Sequence, residues 1–142
     1  MVIGVNNLFD TFISMHYITK IEYRKEYHMK TFIKVMKALS DPNRVKIIKM
    51  LQHKSMCVCE MQKALQVSQP AVSKHLKLLE DSGLVSFQKD GLWVNYHLTD
   101  GGSSPYVANL LGNLKHWLEE ESEIAGLIEK LPTIRREDIC RK

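Results

Sequence analysis

The chain has 142 residues, 44% hydrophobic and 25% charged, which suits one globular domain with extensions and excludes a disordered or fibrous chain. No apolar run reaches the roughly 20 residues of a spanning helix. The N-terminus lacks a signal-peptide pattern, and three cysteines without framework spacing argue against a secreted disulfide scaffold, so the expectation is a cytoplasmic protein with reduced thiols and no membrane partner.

The net charge of +4 is unevenly spread. Residues 1–100 carry 14 Lys/Arg against 9 Asp/Glu, and residues 101–142 carry 6 against 7. In the stretch from Lys30 to Lys54, Lys30, Lys34, Lys37, Arg44, Lys46, Lys49 and Lys54 face only Asp41. Such a basic stretch suggests a polyanion partner.

In chain order, Leu8, Phe9, Phe12 and Ile13 recur at helical spacing and predict an amphipathic helix over the first 20 or so residues. Phe32, Val35, Met36 and Leu39 mark the next helix, from Met29. "SDPNR" then lets Asp41 cap, and Pro42 open, a helix whose inward face is Val45, Ile48 and Leu51. A short helix is predicted over Val58–Leu65. In "QVSQPAVSKHLKLLEDSGL", Ser68 is the expected N-cap, Pro70 sits in the first turn and Gly83 follows the end. Two strands joined at Asp90-Gly91 read as a hairpin. After "TDGGSSP", Tyr106, Val107, Leu110, Leu111, Leu114, Trp117 and Leu118 form a wide apolar stripe. The residues from Pro132 read as a charged, poorly ordered tail.

This order predicts a mainly α fold with a small β-hairpin, a winged helix-turn-helix. Projected at about 100° per residue, the capped helix places Val72, Leu76 and Leu79 on one apolar face. Pro70, Ser73, Lys74 and Lys77 fall on the opposite side, with Gln69 at its N-terminal edge. Ser68, Gln69, Pro70, Ser73, Lys74 and Lys77, with Lys89 in the wing, are the candidate DNA-binding residues. Gln69 can pair with an adenine edge, Ser73 reaches a base or a phosphate, and the lysines neutralise phosphates. His75 borders the core face and reads as a packed histidine. One such helix docks one half-site, so a homodimer on double-stranded DNA with an inverted repeat is expected. Its interface is assigned to Tyr106, Leu110, Leu111, Leu114, Trp117 and Leu118, with the helix from Met29.

The run "MCVCEMQKAL...SQPAVSKHLKLLEDSGLVSFQKDGLWVNYHL" resembles the ArsR/SmtB family of metal-responsive repressors, specifically its arsenic-sensing branch, over Met29 to about Leu118. The resemblance implies a homodimeric repressor of a resistance operon, needing no resident cofactor, that leaves its operator when As(III) or Sb(III) binds Cys57 and Cys59. Met29 would serve as a family start. The expected organisation is an extension over 1–28, either a helix or the product of an upstream start codon, the DNA-binding and dimerisation domain over 29–120, and a charged tail over 121–142.

Two positions apart on an ideal helix, Cys57 and Cys59 would point about 200° from each other, so an ion shared by both must distort the helix start. The helix dipole and Lys54 should favour their thiolates. Some arsenic-branch members carry a third cysteine where this chain has Gln62. Two thiolates with an exchangeable oxygen are therefore favoured, with Cys140 the other candidate for a third ligand, and His53 a candidate for a divalent ion. The cadmium/lead branch adds N-terminal cysteines, which residues 1–28 lack, and the zinc/nickel branch uses paired sites of which only His116 and Glu119 match. Cadmium, lead or zinc sensing and a thiol redox switch are the alternatives. Thiol-disulfide enzymes place their pair after a strand in a βαβ unit; none is predicted, so the chain is read as no enzyme.

Overall fold

A computed structural model describes the backbone of residues 8–140 and the side chains of residues 14–20 and 27–140. Helix α1 runs without a break from Leu8 to Ala38, where the sequence suggested two helices and a boundary at residue 28. The chain instead divides into compact units at residues 1–33 and 34–142. The apolar face expected for Leu8, Phe9, Phe12 and Ile13 lies outside the described side chains. Within the first unit, Met15, Tyr17, Ile18, Tyr27, Met29, Phe32 and Ile33 are exposed.

In the second unit, Val35 and Ala38 are buried. Asp41 then caps α2 (Pro42–Leu51), its carboxylate accepting from the backbone N–H groups of Asn43 and Arg44 at 2.9 and 3.1 Å. Two of the helix's orphan donors are thereby satisfied. After α3 (Val58–Leu65), Gln66 adopts a left-handed conformation, φ 56°, and turns the chain into α4 (Gln69–Asp81). Ser68 Oγ caps α4 by accepting from Ala71 N at 3.3 Å. Gly83, at φ +80°, closes α4 with Leu84 N donating to Leu79 O at 3.0 Å. A Cβ at Gly83 would lie 2.6 Å from Ser103 Oγ, so glycine answers both a backbone and a space requirement.

Strands β1 (Val85–Asp90) and β2 (Trp93–Leu98) pair antiparallel from Val85↔Leu98 to Asp90↔Trp93, with Gly91 at φ +60° in the turn. Helix α5 (Pro105–Leu114), α6 (Ser122–Lys130), a 3₁₀ turn (Leu131–Thr133) and α7 (Arg136–Ile139) complete the unit. The core is one cluster drawn from every helix of this unit except α7, with both strands at its edge; Ile47, Ile48, Met50, Met61, Val72, Leu79, Leu84 and Val107 are fully covered.

Three expectations change here. The stretch 121–142, expected as a charged tail that is poorly ordered from Pro132, carries buried Ile124, Leu127, Leu131 and Ile134 in its described residues. Their spacing of three and four residues is a helical stripe, and burying it ties the segment to the domain. The stripe assigned to dimerisation also splits, because α5 ends at Leu114. Val107, Leu111 and Leu114 are buried within the chain, so Leu111 and Leu114 have no surface left for a partner. Tyr106 and Leu110 are half-buried, while Trp117 and Leu118 lie beyond the helix and are exposed.

The basic stretch, thirdly, is largely spent inside the fold. Lys49 is 1% exposed and donates to Leu114 O (2.8 Å), Trp117 O (2.9 Å) and Glu119 Oε1 (3.2 Å). It thus caps the α5 C-terminus, whose last carbonyls lack helical partners. Lys46 pairs with Glu123 at 2.8 Å. Arg44 donates to the carbonyls of Ala38 and Lys37, and Lys54 binds Glu60. Four of the seven cations therefore hold the domain together.

Candidate functional site: a three-thiol cluster at the start of α3

Cys57 is the N-cap of α3, at φ −87° and ψ 169°, because its backbone N–H donates to Glu60 Oε2 at 2.9 Å in the reciprocal arrangement of a capping box. An extended N-cap does not follow the helical wheel. The 200° separation expected of Cys57 and Cys59 therefore does not apply, and a shared ion need not unwind the helix. Just before it, Met56 forms an isolated bridge with Tyr96 of β2, N to O distances 3.1 and 2.8 Å, so the thiol segment is stitched to the wing.

The C-terminal segment brings the third sulfur. Lys54 Nζ reaches both Glu60 Oε1 (3.1 Å) and the Ile134 carbonyl (2.6 Å), and α7 packs against α3. Cys140, the C-cap of α7, thereby comes within 3.9 Å of Cys57, sulfur to sulfur. The Sγ atoms of Cys57, Cys59 and Cys140 all lie within 4.8 Å of one another. Three sulfurs each about 2.3 Å from one ion lie at most about 4.0 Å from one another, so the Cys57–Cys140 separation of 3.9 Å already fits and a wider pair must close by roughly 1 Å. Its donor type suits a soft ion. Cys57 is buried and the other two are half-buried. Cys59 also lines an open cleft with Gln62, Lys63, Gln66, Val67 and Ile139. Gln62, where a third thiol was sought, stands at that mouth.

The electrostatics reverse another expectation. Burial pushes the Cys57 thiol above its ordinary value, and the Glu60 carboxylate adds to this against the opposing N–H of Glu60. Lys54, expected to favour the thiolate, is engaged by Glu60 instead. Burial, together with the Cys59 and Cys57 sulfurs, pushes Cys140 up strongly. Cys57 and Cys140 thus favour the protonated thiol.

Among the described residues this is the one group of three or more such side chains placed to hold an ion. His53 is outside it. Glu119 is paired with Lys49, so the His116 and Glu119 half-site is not assembled.

On α4, Val72, Leu76 and Leu79 are buried, while Ser68, Gln69, Pro70, Ser73, Lys74 and Lys77 are exposed, as is Lys89 on β1. Lys77 is held by Asp81 at 2.9 Å. His75 packs at the edge, its Nδ1 3.5 Å from Arg44 Nη1 and 3.9 Å from Asp41 Oδ1. Sequence reasoning missed Met56, Glu60 and Arg136. The last lies over the Trp93 ring at 5.4 Å and donates to Asn95 Oδ1 at 3.1 Å. Only the apolar stripe ending at Ile134 hinted that this segment docks.

Residues 41–86 match the family model described as "Bacterial regulatory protein, arsR family". The chain is 33% identical over 102 residues to an arsenical resistance operon repressor of Escherichia coli, covering 70% of this chain and 83% of that one. It is 35% identical over 83 residues to a transcriptional repressor SmtB homologue of Synechocystis, covering 58% and 60%. The solved structure of HlyU from Vibrio cholerae superposes with a TM-score of 0.55 at 28% identity, over 64% of this chain and 95% of that one. With its capped reading helix and its wing, the chain belongs to the ArsR/SmtB family of DNA-binding transcriptional repressors, which are not enzymes.

Proposed function

We propose that the chain is an arsenite- and antimonite-responsive repressor. It binds an inverted-repeat operator as a homodimer through Gln69, Ser73, Lys74, Lys77 and Lys89, with Ser68 and Pro70 setting the start of the reading helix. It leaves the operator when Cys57, Cys59 and Cys140 bind the inducer. Tyr106, Leu110, Trp117 and Leu118 remain the α5-side candidates for the dimer contact. The observation that carries this reading is the meeting of three sulfurs within 4.8 Å at the first helix of the helix-turn-helix.

The raised thiol values bear on which ion is taken. Trivalent arsenic exchanges hydroxide for thiol with no net proton release, As(OH)₃ + 3 RSH → As(SR)₃ + 3 H₂O, and the product is neutral. A divalent cation must instead displace protons and leaves three thiolates with a net negative charge. The buried Cys57 thiol, held toward its protonated form beside the Glu60 carboxylate, favours the neutral product.

The test is a release titration of the purified full chain from a duplex recovered by selection from random sequence. Arsenite should release the wild type, and release should be abolished in Cys57→Ser and Cys59→Ser with DNA binding retained. Normal release from both variants sinks the reading. Release by cadmium should weaken as pH falls from 8 to 6, by up to roughly tenfold per unit for each proton displaced, whereas release by arsenite should stay nearly flat.

The 3.9 Å contact of Cys57 with Cys140 favours a second reading, a redox switch. Peroxide would take two electrons and two protons from the pair to leave a disulfide and two waters. A peroxide arm of the same titration separates the two, because only the redox reading predicts release by peroxide in the absence of arsenite.

A further inference from the structure

Arg136 stands at one end of the single turn of α7 and Cys140 at the other, joined by the hydrogen bond from Cys140 N to Arg136 O at 2.8 Å. The guanidinium sits over the Trp93 ring at 5.4 Å, donates to Asn95 Oδ1 at 3.1 Å and lies 3.8 Å from Asp90 Oδ2. Asp90 and Trp93 form the last pair before the wing's turn. The wing is therefore gripped near its tip by the residue four positions before one thiol. It is also stitched at Tyr96 to the residue just before another, through the Met56 bridge.

We infer that Arg136 is the positioning residue that transmits occupancy of the thiol cluster to the wing. This rests on the sensing reading above. Drawing three sulfurs from within 4.8 Å to common contact displaces Cys140 toward α3. The hydrogen bond from Cys140 N to Arg136 O ties the two ends of the turn together, so a displacement of Cys140 is passed to Arg136. Its cation–π contact, hydrogen bond and ion pair then pull on Asp90, Trp93 and Asn95 together. The wing tip shifts relative to α4, and a protein whose α4 and wing touch DNA at once loses the match. Allosteric coupling of this kind typically amounts to a 5–150-fold change in affinity.

The experiment compares the full chain with Arg136→Ala and Arg136→Lys. Three quantities are read: arsenite uptake from the ultraviolet absorption of the sulfur–arsenic bonds, the ratio of DNA affinities without and with arsenite, and tryptophan emission on arsenite addition. Arg136→Ala should take up arsenite with wild-type stoichiometry while the affinity ratio drops about fivefold or more. Arg136→Lys keeps a cation over Trp93 and should restore part of that ratio. Arsenite should change emission in the wild type, but not in Trp93→Phe or Arg136→Ala. A wild-type ratio together with a wild-type emission change in Arg136→Ala overturns the inference. Loss of arsenite uptake in that variant overturns it too, by making Arg136 part of the site rather than its coupling. A wild type that arsenite does not release from DNA brings down the sensing reading as well, a result seen before any Arg136 variant is compared.

Discussion

Helices α4, of 13 residues, and α7, of four, are held in place by different means. Helix α4 carries its own instructions: Ser68 caps it, Pro70 opens it, Gly83 ends it, and Val72, Leu76 and Leu79 bury one face. Helix α7 has four residues, no side-chain cap and no buried residue. Nucleating a single turn is unfavourable by itself. Its position comes from Ile134 in the core, from Lys54 holding the Ile134 carbonyl, and from Arg136 on Trp93. A segment of the first kind is specified locally, whereas one of the second kind exists only as part of the assembled domain. That makes it suited to respond to a ligand, since responsive elements come from the less stable end of a structure.

The largest effects should separate the two. Leu76→Ala, which empties a fully buried site on α4, should cost about 2–5 kcal/mol in urea unfolding and remove DNA binding with it. Ile134→Ala should cost at most the low end of that range, since the segment can undock instead of leaving a cavity. It should weaken arsenite binding while leaving DNA affinity near wild type. Equal losses of DNA binding in both variants would erase the distinction.

Lys49→Met should lower stability by about 1–3 kcal/mol by leaving the Leu114 and Trp117 carbonyls without their donor. The salt dependence of DNA binding should not change. A flattened salt dependence would return Lys49 to the DNA face. Asp41→Ala should cost about 1 kcal/mol through loss of the α2 cap, visible as a lower midpoint with unchanged slope. The smallest change is expected on α4 itself. Lys74→Ala should reduce the salt slope of DNA binding by about one, and Lys77→Ala by less, because Asp81 already holds that ammonium. The opposite order would show that the Lys77 ion pair opens freely on DNA.

The same contrast explains what could be read in advance. The caps at Asp41 and Ser68, the buried face of α4 and the Asp90-Gly91 hairpin depend on residues within a few positions of one another, so periodicity and turn chemistry reveal them. The basic stretch misled for the complementary reason. Lys49 and Lys54 look like surface cations until partners 65 to 80 residues away in the chain, Leu114, Trp117 and Ile134, are brought beside them.

By itself the sequence determined the order of elements from α2 to β2, the exposed polar face of α4 and the presence of two thiols at the start of α3. All of these follow from local propensity and short-range spacing. Only the tertiary structure decided that Cys57 lies outside the helix, that Cys140 joins it across 83 positions, and that Arg136 grips the wing. Those outcomes depend on burying the stripe from Ile124 to Ile134 against the rest of the domain, a free energy that no local window of the chain contains.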